Sequence, residues 1–198
     1  MRVKVAVVVA SAALLSGCSE NVAGNATPST SAATDSPSAS SDVPKVATPI
    51  DTARYEKEPC AALTADQLSM LGITTQPKPD LATTPGPGCE WNAFDEVGLT
   101  VDGTLLTAGS SLAGVYQKHE AGAWKFFQPV PDVSGYPGVL FDDKAQPHNF
   151  CGMSVAVRDD LIYSMQVTID PEKKEANDPC SLTRKIAEMA VSTMKAGA

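Results

Sequence analysis

Four cysteines between residues 60 and 180 constrain the fold of the chain more than any other feature. Cys60 and Cys89 are separated by about 30 residues, and so are Cys151 and Cys180. The chain has no Cys-x-x-Cys pair and only 2 histidines, which argues against a zinc site. An even number of cysteines is typical of disulfides when a chain is exported to an oxidising compartment. The N-terminus therefore decides how these cysteines are interpreted.

The N-terminus has the parts of a secretory signal peptide. Arg2 and Lys4 precede an apolar run from Val5 to Leu15. This run is too short to cross a bilayer as a helix, which needs roughly 20 apolar residues. The stretch Leu15-Ser16-Gly17-Cys18 resembles the bacterial lipobox, in which the cysteine becomes the first residue of the mature protein. We therefore expect a lipoprotein signal peptide over residues 1–17 and lipidation of Cys18.

The lipobox implies how the protein is held at the membrane. In such lipoproteins the cysteine carries a diacylglycerol thioether and can carry an amide-linked acyl chain such as palmitate. Two or three acyl chains give stable anchoring, because each buried CH₂ contributes about 0.8 kcal/mol. The expected location is the outer face of the cytoplasmic membrane, in the cell envelope. Cys18 is then the membrane contact and needs no disulfide partner.

The segment that follows Cys18 has no composition from which to build a core. Residues 19–54 contain no Leu, Phe, Met, Trp or Tyr and are rich in Ser, Thr, Ala and Pro. Such a segment cannot bury enough apolar area to offset its ordering entropy. The sequence therefore predicts a lipidated, disordered tether over residues 18–54. It predicts one disulfide-linked domain over residues 55–198, a suitable size for a single core.

The charge balance excludes one class of partner. The formal net charge is -8, with 15 Lys and Arg residues against 23 Asp and Glu residues. Nucleic-acid-binding proteins gather basic residues into patches that contact phosphates, so we expect no nucleic-acid partner. The chain also lacks a Walker phosphate loop and a G-x-G-x-x-G dinucleotide motif. We therefore expect no nucleotide cofactor.

Helical signals occur at three places in the domain. A helix is predicted to begin near Pro59 and to end at Gly72, with Thr64 and Gln67 as an alternative capping box. A short helix that Gly122 ends would have an apolar stripe of Leu112, Val115, Tyr116 and His119. The last helix would begin with Asp178 as its cap and Pro179 at its first position. Its predicted buried side chains are Leu182, Ile186, Met189, Ala190 and Thr193.

Alternating apolar residues predict two hairpins. The sequences CEWNAF and GLTVDGTL would pair around residues 95–98, and CGMSVAV would pair with LIYSMQVTI around residues 158–160. In the second hairpin the predicted inward residues are Met153, Val155, Val157, Leu161, Tyr163, Met165, Val167 and Ile169.

The second hairpin also favours one disulfide pairing. It returns Ile169 beside Cys151, and the short loop that follows brings Cys180 to the same place. Cys151–Cys180 is therefore the favoured disulfide, and Cys60–Cys89 follows by elimination. Diagonal pairings remain possible.

Several short motifs occur in a particular order along the chain. They are Glu58-Pro59-Cys60, Cys89-Glu90-Trp91 and Gly135-Tyr136-Pro137, behind the lipobox. In this order the chain, from Glu58 to about Lys195, resembles a family of secreted actinobacterial lipoproteins that is catalogued only as a domain of unknown function. The resemblance implies a lipid-anchored envelope protein with an α+β fold. It implies an antiparallel sheet of about five to six strands with helices packed on it, in a PsbP-like layout, and no catalytic residues.

The chain offers few groups for catalysis. His119 lies on the apolar stripe of its helix, and His148 lies in a predicted loop. Ser154 lies in a G-x-S-x-A stretch that approximates the nucleophile elbow, but a strand is predicted through it and no histidine follows it. We expect a protein that is not an enzyme and has no metal or cofactor.

Two aspartate pairs are the remaining candidates for acid-base chemistry. Asp142-Asp143 and Asp159-Asp160 could bind calcium or act as an acid-base couple. Both pairs lie where strands should turn, and aspartate favours turns because its side chain bonds to nearby backbone. Turn formation is the preferred interpretation, and an envelope hydrolase that uses these pairs is an alternative.

A stretch rich in aromatic residues, proline and glycine is the candidate binding site. It is WKFFQPVPDVSGYPGVLF, residues 124–141. A loop is predicted from Gln128 to Gly138, in which Tyr136, with Gln128 and Pro131, would contact a ligand or partner. A structural turn with Tyr136 as a lid on the core is the simpler interpretation of the same residues.

These features together favour a non-enzymatic binding domain, anchored by lipid, for a partner protein or an envelope molecule. A carrier of a small apolar molecule or lipid is one alternative, and it requires an apolar cavity that the sequence does not reveal. The hydrolase is the other alternative.

Overall fold

One antiparallel sheet of seven strands organises the domain. The computed structural model describes residues 43–82 and 84–197. The strands are β1 (Lys78–Asp80), β2 (Gly88–Ala93), β3 (Leu99–Leu105), β4 (Phe126–Val133), β5 (Tyr136–Asp142), β6 (Phe150–Arg158) and β7 (Leu161–Ile169). Their order in the sheet is β1-β2-β3-β7-β6-β5-β4. The predicted signal peptide, Cys18 and most of the predicted tether lie outside the described residues.

Helices join and cover these strands, which confirms the predicted α+β class. They are α1 (Ala53–Lys57), α2 (Ala65–Met70), α3 (Phe94–Val97), α4 (Leu112–Glu120) and α5 (Pro179–Ala196). Two 3₁₀ turns cover Pro59–Ala62 and Lys174–Asn177. In the described part of the chain, no helix is long and apolar enough to cross a membrane. The sheet has slightly more strands than predicted, because the short edge strand β1 was not expected and much of the predicted loop from Gln128 to Gly138 is strand.

The predicted helix from Pro59 to Gly72 is wrong as a single element. The structure divides it into a 3₁₀ turn and α2, and the division falls at Thr64. The Thr64 backbone N–H donates to the Gln67 side chain, and the Gln67 N–H donates to the Thr64 hydroxyl. This reciprocal pair confirms the capping box and explains why a new helix begins there.

The main core lies between one face of the sheet and α5. Trp91, Val101, Met153 and Met165 project from four strands into this core, and each is fully buried. All eight inward residues predicted for the second hairpin are buried, so that prediction is confirmed. The two strands β6 and β7 turn at Asp159 and Asp160, as expected.

The buried face of α5 is rotated from the predicted one. Leu182, Met189 and Thr193 are only partly buried, while Ile186 and Ala190 are buried as predicted. The remaining buried side chains of the helix body are Thr183, Ala187, Val191 and Met194. The buried Thr183 hydroxyl lies within hydrogen-bond distance of the carbonyl oxygens of Pro179, at 2.8 Å, and Cys151, at 3.3 Å. The predicted Asp178 cap is confirmed by a 3.2 Å hydrogen bond from the Ser181 N–H.

Two disulfides fasten helical segments to the sheet. Cys60–Cys89 joins the first 3₁₀ turn to β2, and Cys151–Cys180 joins β6 to the first turn of α5. Both predicted pairings are confirmed, and the diagonal alternatives are not found. The hairpin argument succeeded because β7 returns the chain to the end of β6 that carries Cys151.

The predicted boundary of the tether at residue 54 is wrong. Ile50 and Thr52 are only 2% and 1% exposed. The Ile50 N–H donates to the carbonyl of Val157 at 3.0 Å, and the Val46 N–H donates to the Asp159 carboxylate at 2.9 Å. Residues 43–52 therefore form a strap along the second hairpin. The prediction failed because the isolated Val and Ile residues of this segment pack on an apolar surface of the domain, which composition alone does not reveal.

Both edges of the sheet carry prolines. Pro79 lies in β1, while Pro129 and Pro131 lie in β4. Proline has no backbone N–H and cannot complete a ladder with an added strand. The edges are therefore poor sites for pairing with another chain, and the faces of the sheet are better candidates for binding.

Candidate functional site

The face of the sheet opposite the main core carries two continuous rows of side chains. Antiparallel register places directly paired residues side by side across neighbouring strands. The first row is Lys78, Glu90, Asp102, Gln166, Gly152, Phe141 and Phe127. The second row is Asp80, Gly88, Thr104, Ser164, Ser154, Val139 and Pro129. Both rows change from charged, through uncharged polar, to apolar residues.

The helix α4 covers only the apolar part of these rows. A second hydrophobic cluster joins Leu112 and Val115 of α4 to Val139, Ala156 and Ile162 of the sheet. Tyr116, Trp124 and Phe127 pack around this cluster. The helix begins after Ser111, whose hydroxyl caps it by accepting the Gly114 N–H at 3.2 Å. Among the described residues, no helix covers this face over β1, β2, β3 and the part of β7 beyond Ile162.

A cleft opens at the border between the covered and uncovered parts. Its volume is about 330 Å³, and Trp124 and Phe141 line it with a centroid separation of 4.8 Å. Val115 and Leu106 add apolar walls, while Ser154 contributes a hydroxyl. Gly152 makes room for the aromatic wall, because a Cβ atom at this position would overlap the Phe141 ring.

The cleft continues along the polar part of the sheet. A neighbouring depression of about 400 Å³ shares Leu106, Ser164 and Gln166 with it. A third depression, of about 160 Å³, shares Asp102 and Thr104 with the second. We call this continuous surface the cross-sheet groove; its polar side chains are Glu90, Asp102, Thr104, Gln166, Ser164 and Ser154, and its apolar end is formed by Trp124 and Phe141.

Several polar side chains of the groove have no partner inside the protein. Within residues 43–82 and 84–197, no hydrogen bond is made by the side chains of Asp102, Thr104, Gln166, Ser164 or Ser154. Ser154 as a residue is only 4% exposed, but its hydroxyl is not one of the fully enclosed polar atoms without a partner, so the hydroxyl reaches the surface of the cleft. The Ser154 hydroxyl is thus available to a ligand that enters the cleft.

The charged end of the groove is acidic. Asp80, Glu90 and Asp102 line it together with one cation, Lys78. Burial raises the pKa of the Asp102 carboxyl, and the neighbouring Glu90 carboxylate raises it further. Both effects disfavour the charged form, so a cationic group placed here would stabilise Asp102 as a carboxylate.

The predicted binding loop is not a loop. Residues Gln128 to Gly138 form the end of β4, a turn at Ser134 and Gly135, and the beginning of β5. Ser134 and Gly135 both have positive φ, at 57° and 94°, which permits a tight hairpin turn. Gln128 and Pro131 are exposed on β4, but Tyr136 is only 4% exposed and packs in the main core. The turn reverses the chain so sharply that Tyr136 faces inward, which bears out the lid interpretation.

The surroundings of the two histidines indicate structural roles. The His119 ring stacks on Phe127 with a centroid distance of 4.0 Å, as expected for a packed histidine. His148 is exposed between β5 and β6. Ser154 lies in the middle of β6 and not at a strand-to-helix turn, so it lacks the geometry of a nucleophile elbow.

The aspartate pairs lie away from the groove. Asp159 and Asp160 form the tip of the second hairpin, where Arg158 pairs with Asp160 at 3.0 Å. Asp142 ends β5 and is buried, and its Oδ1 accepts the Lys144 N–H at 2.9 Å in a local turn. No group of three or more metal-ligating side chains occurs among the described residues. Turn formation therefore explains the Asp159–Asp160 pair and the Oδ1 atom of Asp142, whereas Asp142 Oδ2 is buried without a partner among the described residues.

Sequence reasoning missed the groove, although one signal was present. Thr100, Asp102 and Thr104 alternate with buried residues in β3, as Ser164, Gln166 and Thr168 do in β7. The alternation shows that these side chains face away from the core. Only the strand order shows that they are neighbours of Phe141 and Trp124.

The comparisons with known proteins identify a family without an assigned activity. A family model described as "Protein of unknown function (DUF3558)" matches residues 13–193. No curated protein and no solved structure matches the chain. The PsbP-like layout therefore stays a prediction.

Proposed function

Because the chain belongs to the DUF3558 family of proteins of unknown function, we propose its role from its geometry. The proposed role is a non-enzymatic binding domain that holds a partner segment or an envelope molecule in the cross-sheet groove. The domain would act at the outer face of the cytoplasmic membrane, anchored through lipid on Cys18.

One observation carries this proposal. The hydroxyl of Ser154 makes no hydrogen bond to the described residues and opens into a cleft walled by Trp124 and Phe141. Binding sites commonly combine apolar and aromatic walls with a few polar groups that fix orientation. The unpartnered Gln166, Ser164 and Asp102 side chains extend this combination across the sheet. The clefts are open to solvent, which suits a ligand that lies along the surface.

The described part of the cross-sheet groove has no set of side chains arranged for catalysis, and this supports binding over catalysis. In the described residues, serines, carboxylates and two lysines, Lys78 and Lys118, line the cross-sheet groove, but no histidine does. A serine nucleophile needs an adjacent base within hydrogen-bond reach. The Ser154 hydroxyl has no such partner, so it suits recognition better than covalent chemistry.

Photo-crosslinking in intact cells tests the groove. A photoreactive amino acid would replace Gln166, which is exposed in the groove, or Gln117, which is exposed on α4 outside it. We expect a discrete mass increase on the purified protein from position 166 and none from position 117. Adding Ser154→Val should weaken the adduct at 166. Equal labelling at both positions, or no adduct at 166, would contradict the proposed site.

The anchor has its own test. Cys18→Ala should move the protein from the membrane fraction to the soluble fraction of the envelope, because the acyl chains supply the membrane affinity. Continued membrane association of this variant would show that another part of the chain holds it there.

A further inference from the structure

The acidic end of the cross-sheet groove carries more carboxylates than cations. Asp102 and Glu90 are directly paired across β2 and β3, and like charges in this arrangement repel each other. Neither carboxylate takes part in any of the ion pairs found in the part of the chain that the structure describes. Lys78 is the one cation that lines this end, against three carboxylates. The end therefore has a net negative charge and favours a positively charged group.

The opposite end of the groove favours an apolar group. Trp124 and Phe141 form an aromatic wall, and Leu106 and Val115 add apolar side chains; Lys118 also lines this cleft and would repel a second cation. Asp102 in β3 and Phe141 in β5 are separated by three strand spacings, because β7 and β6 lie between them. At about 4.8 Å for each spacing, the two ends are roughly 14 Å apart.

The middle of the groove favours amides. Thr104, Ser164, Ser154 and Gln166 offer both donors and acceptors, and none of them is bonded within the described chain. An acyl chain would cover these groups and leave them without hydrogen-bond partners. A peptide backbone supplies a donor and an acceptor at each residue. An extended peptide rises about 3.3 Å per residue, so roughly four residues span the distance.

We propose that the cross-sheet groove binds an extended peptide segment with a positive charge at one end and a large apolar side chain about four residues away. This inference rests on the proposed function and specifies its ligand. The cation lies against Glu90 and Asp102, and the apolar side chain enters the cleft between Trp124 and Phe141. The peptide binds to the face of the sheet, since Pro79, Pro129 and Pro131 obstruct strand addition at the edges.

Pentapeptide pools provide the test. Each pool randomises the three central positions and fixes the ends as Lys and Leu, Gln and Leu, Glu and Leu, or Lys and Ser. The full mature chain in nanodiscs of zwitterionic lipid would be titrated with each pool while tryptophan fluorescence is recorded. Trp124 is the reporter, because Trp91 is fully buried in the main core. We expect the Lys and Leu pool to bind at least about tenfold more tightly than any of the other three.

Variants of the acidic end test whether Glu90 and Asp102 cause the preference for a positively charged peptide end. Asp102→Asn combined with Glu90→Gln should lower the affinity for the Lys and Leu pool about tenfold and leave the affinity for the Gln and Leu pool unchanged. Asp95→Asn combined with Glu96→Gln is the matched control, because it removes the same charge from the exposed side chains of α3. The control should bind every pool as the unmodified chain does.

The outcomes separate this inference from the proposed function. If the pools that carry Lys, Gln or Glu together with Leu bind with equal affinity, the requirement for a positive charge is overturned. If the Lys and Leu pool and the Lys and Ser pool bind with equal affinity, the requirement for an apolar side chain is overturned. Tighter binding of glucosamine oligomers than of any peptide pool overturns the peptide class. In each case an adduct at Gln166 in cells would still support the groove as a binding site. Loss of both the peptide response and that adduct would overturn the inference and the proposed function together.

Discussion

The ring of Phe141 lies over Gly152 of the neighbouring strand, in the space that a side chain at position 152 would occupy. Gly152→Ala should therefore push the ring from its place and destabilise the domain by about 1 to 3 kcal/mol. It should also reduce binding in the adjacent cleft. Urea unfolding followed by circular dichroism measures the first effect.

A second glycine serves as the control for this substitution. A Cβ at Gly114 in α4 would have the Ser111 Oγ as its nearest neighbour, at an ordinary contact distance of 3.5 Å. Gly114→Ala should stabilise the helix by up to about 1 kcal/mol. If both substitutions changed stability by the same amount and sign, the close contact of Phe141 with Gly152 would not be the cause.

The Tyr163 hydroxyl is buried over Gly103 and has no hydrogen-bond partner among the described residues. Tyr163→Phe should leave stability unchanged or raise it by up to about 1 kcal/mol, because an unsatisfied hydroxyl is removed from the core. Gly103→Ala should be destabilising, since a Cβ there would overlap the Tyr163 side chain. A loss of more than about 1 kcal/mol in the Phe variant would indicate that the hydroxyl has a partner.

The stability of Tyr163→Phe and that of the unmodified protein should respond differently to alkaline pH. Burial raises the pKa of Tyr163, so the folded chain retains a proton that the unfolded chain releases above about pH 10. The stability of the unmodified protein should therefore fall as pH rises above that value. Tyr163→Phe should show a smaller decrease between pH 9 and pH 11 in urea titrations, and identical slopes would contradict the assignment.

Asp142 should make the domain less stable at neutral pH than at mildly acidic pH. Burial raises its pKa, so the folded chain takes up a proton at a higher pH than the unfolded chain does. Stability then falls as pH rises from the ordinary aspartate value through the raised one. Asp142→Asn retains an Oδ1 acceptor for the Lys144 N–H and should be more stable than the unmodified protein at pH 7, with the difference shrinking toward pH 4. Thermal melts across this range measure it, and exposed Asp95→Asn should show no such trend.

Truncation tests the strap. Deletion of residues 19–42 should not change the free energy of unfolding, whereas deletion of residues 19–54 should lower it by about 2 kcal/mol or more. The second deletion removes the buried Ile50 and Thr52 and the hydrogen bond to Val157. The comparison is made by urea unfolding of the two variants. Equal stability would mean that the strap contributes nothing to the core.

The disulfides should contribute comparable stability. Each closes a loop of about 30 residues, which corresponds to roughly 3 to 4 kcal/mol in the chain-entropy model. Alanine pairs at Cys60 and Cys89, or at Cys151 and Cys180, should each lower stability by about that amount. The second pair should also increase amide exchange in the first turn of α5, because that turn is joined to β6. Unchanged exchange there would show that packing alone holds the helix start.

The parts of the fold that depend on neighbours in sequence were predictable. The capping box of Thr64 and Gln67, the Asp178 cap and the alternating strands of the second hairpin each use interactions within a few residues. The pairing of Cys151 with Cys180 could be predicted for the same reason, because one hairpin and one loop bring them together.

The sequence by itself determined which residues turn away from the core, but only the tertiary structure decided which of them meet. Asp102, Gln166, Ser154 and Phe141 come from four strands, and the order of those strands makes them one surface. In the same way, the turn at Ser134 and Gly135 decided that Tyr136 faces inward. A local sequence pattern indicates on which side of its own strand or helix a residue lies. The composition of a site depends in addition on the pairing register between strands that are distant in the chain.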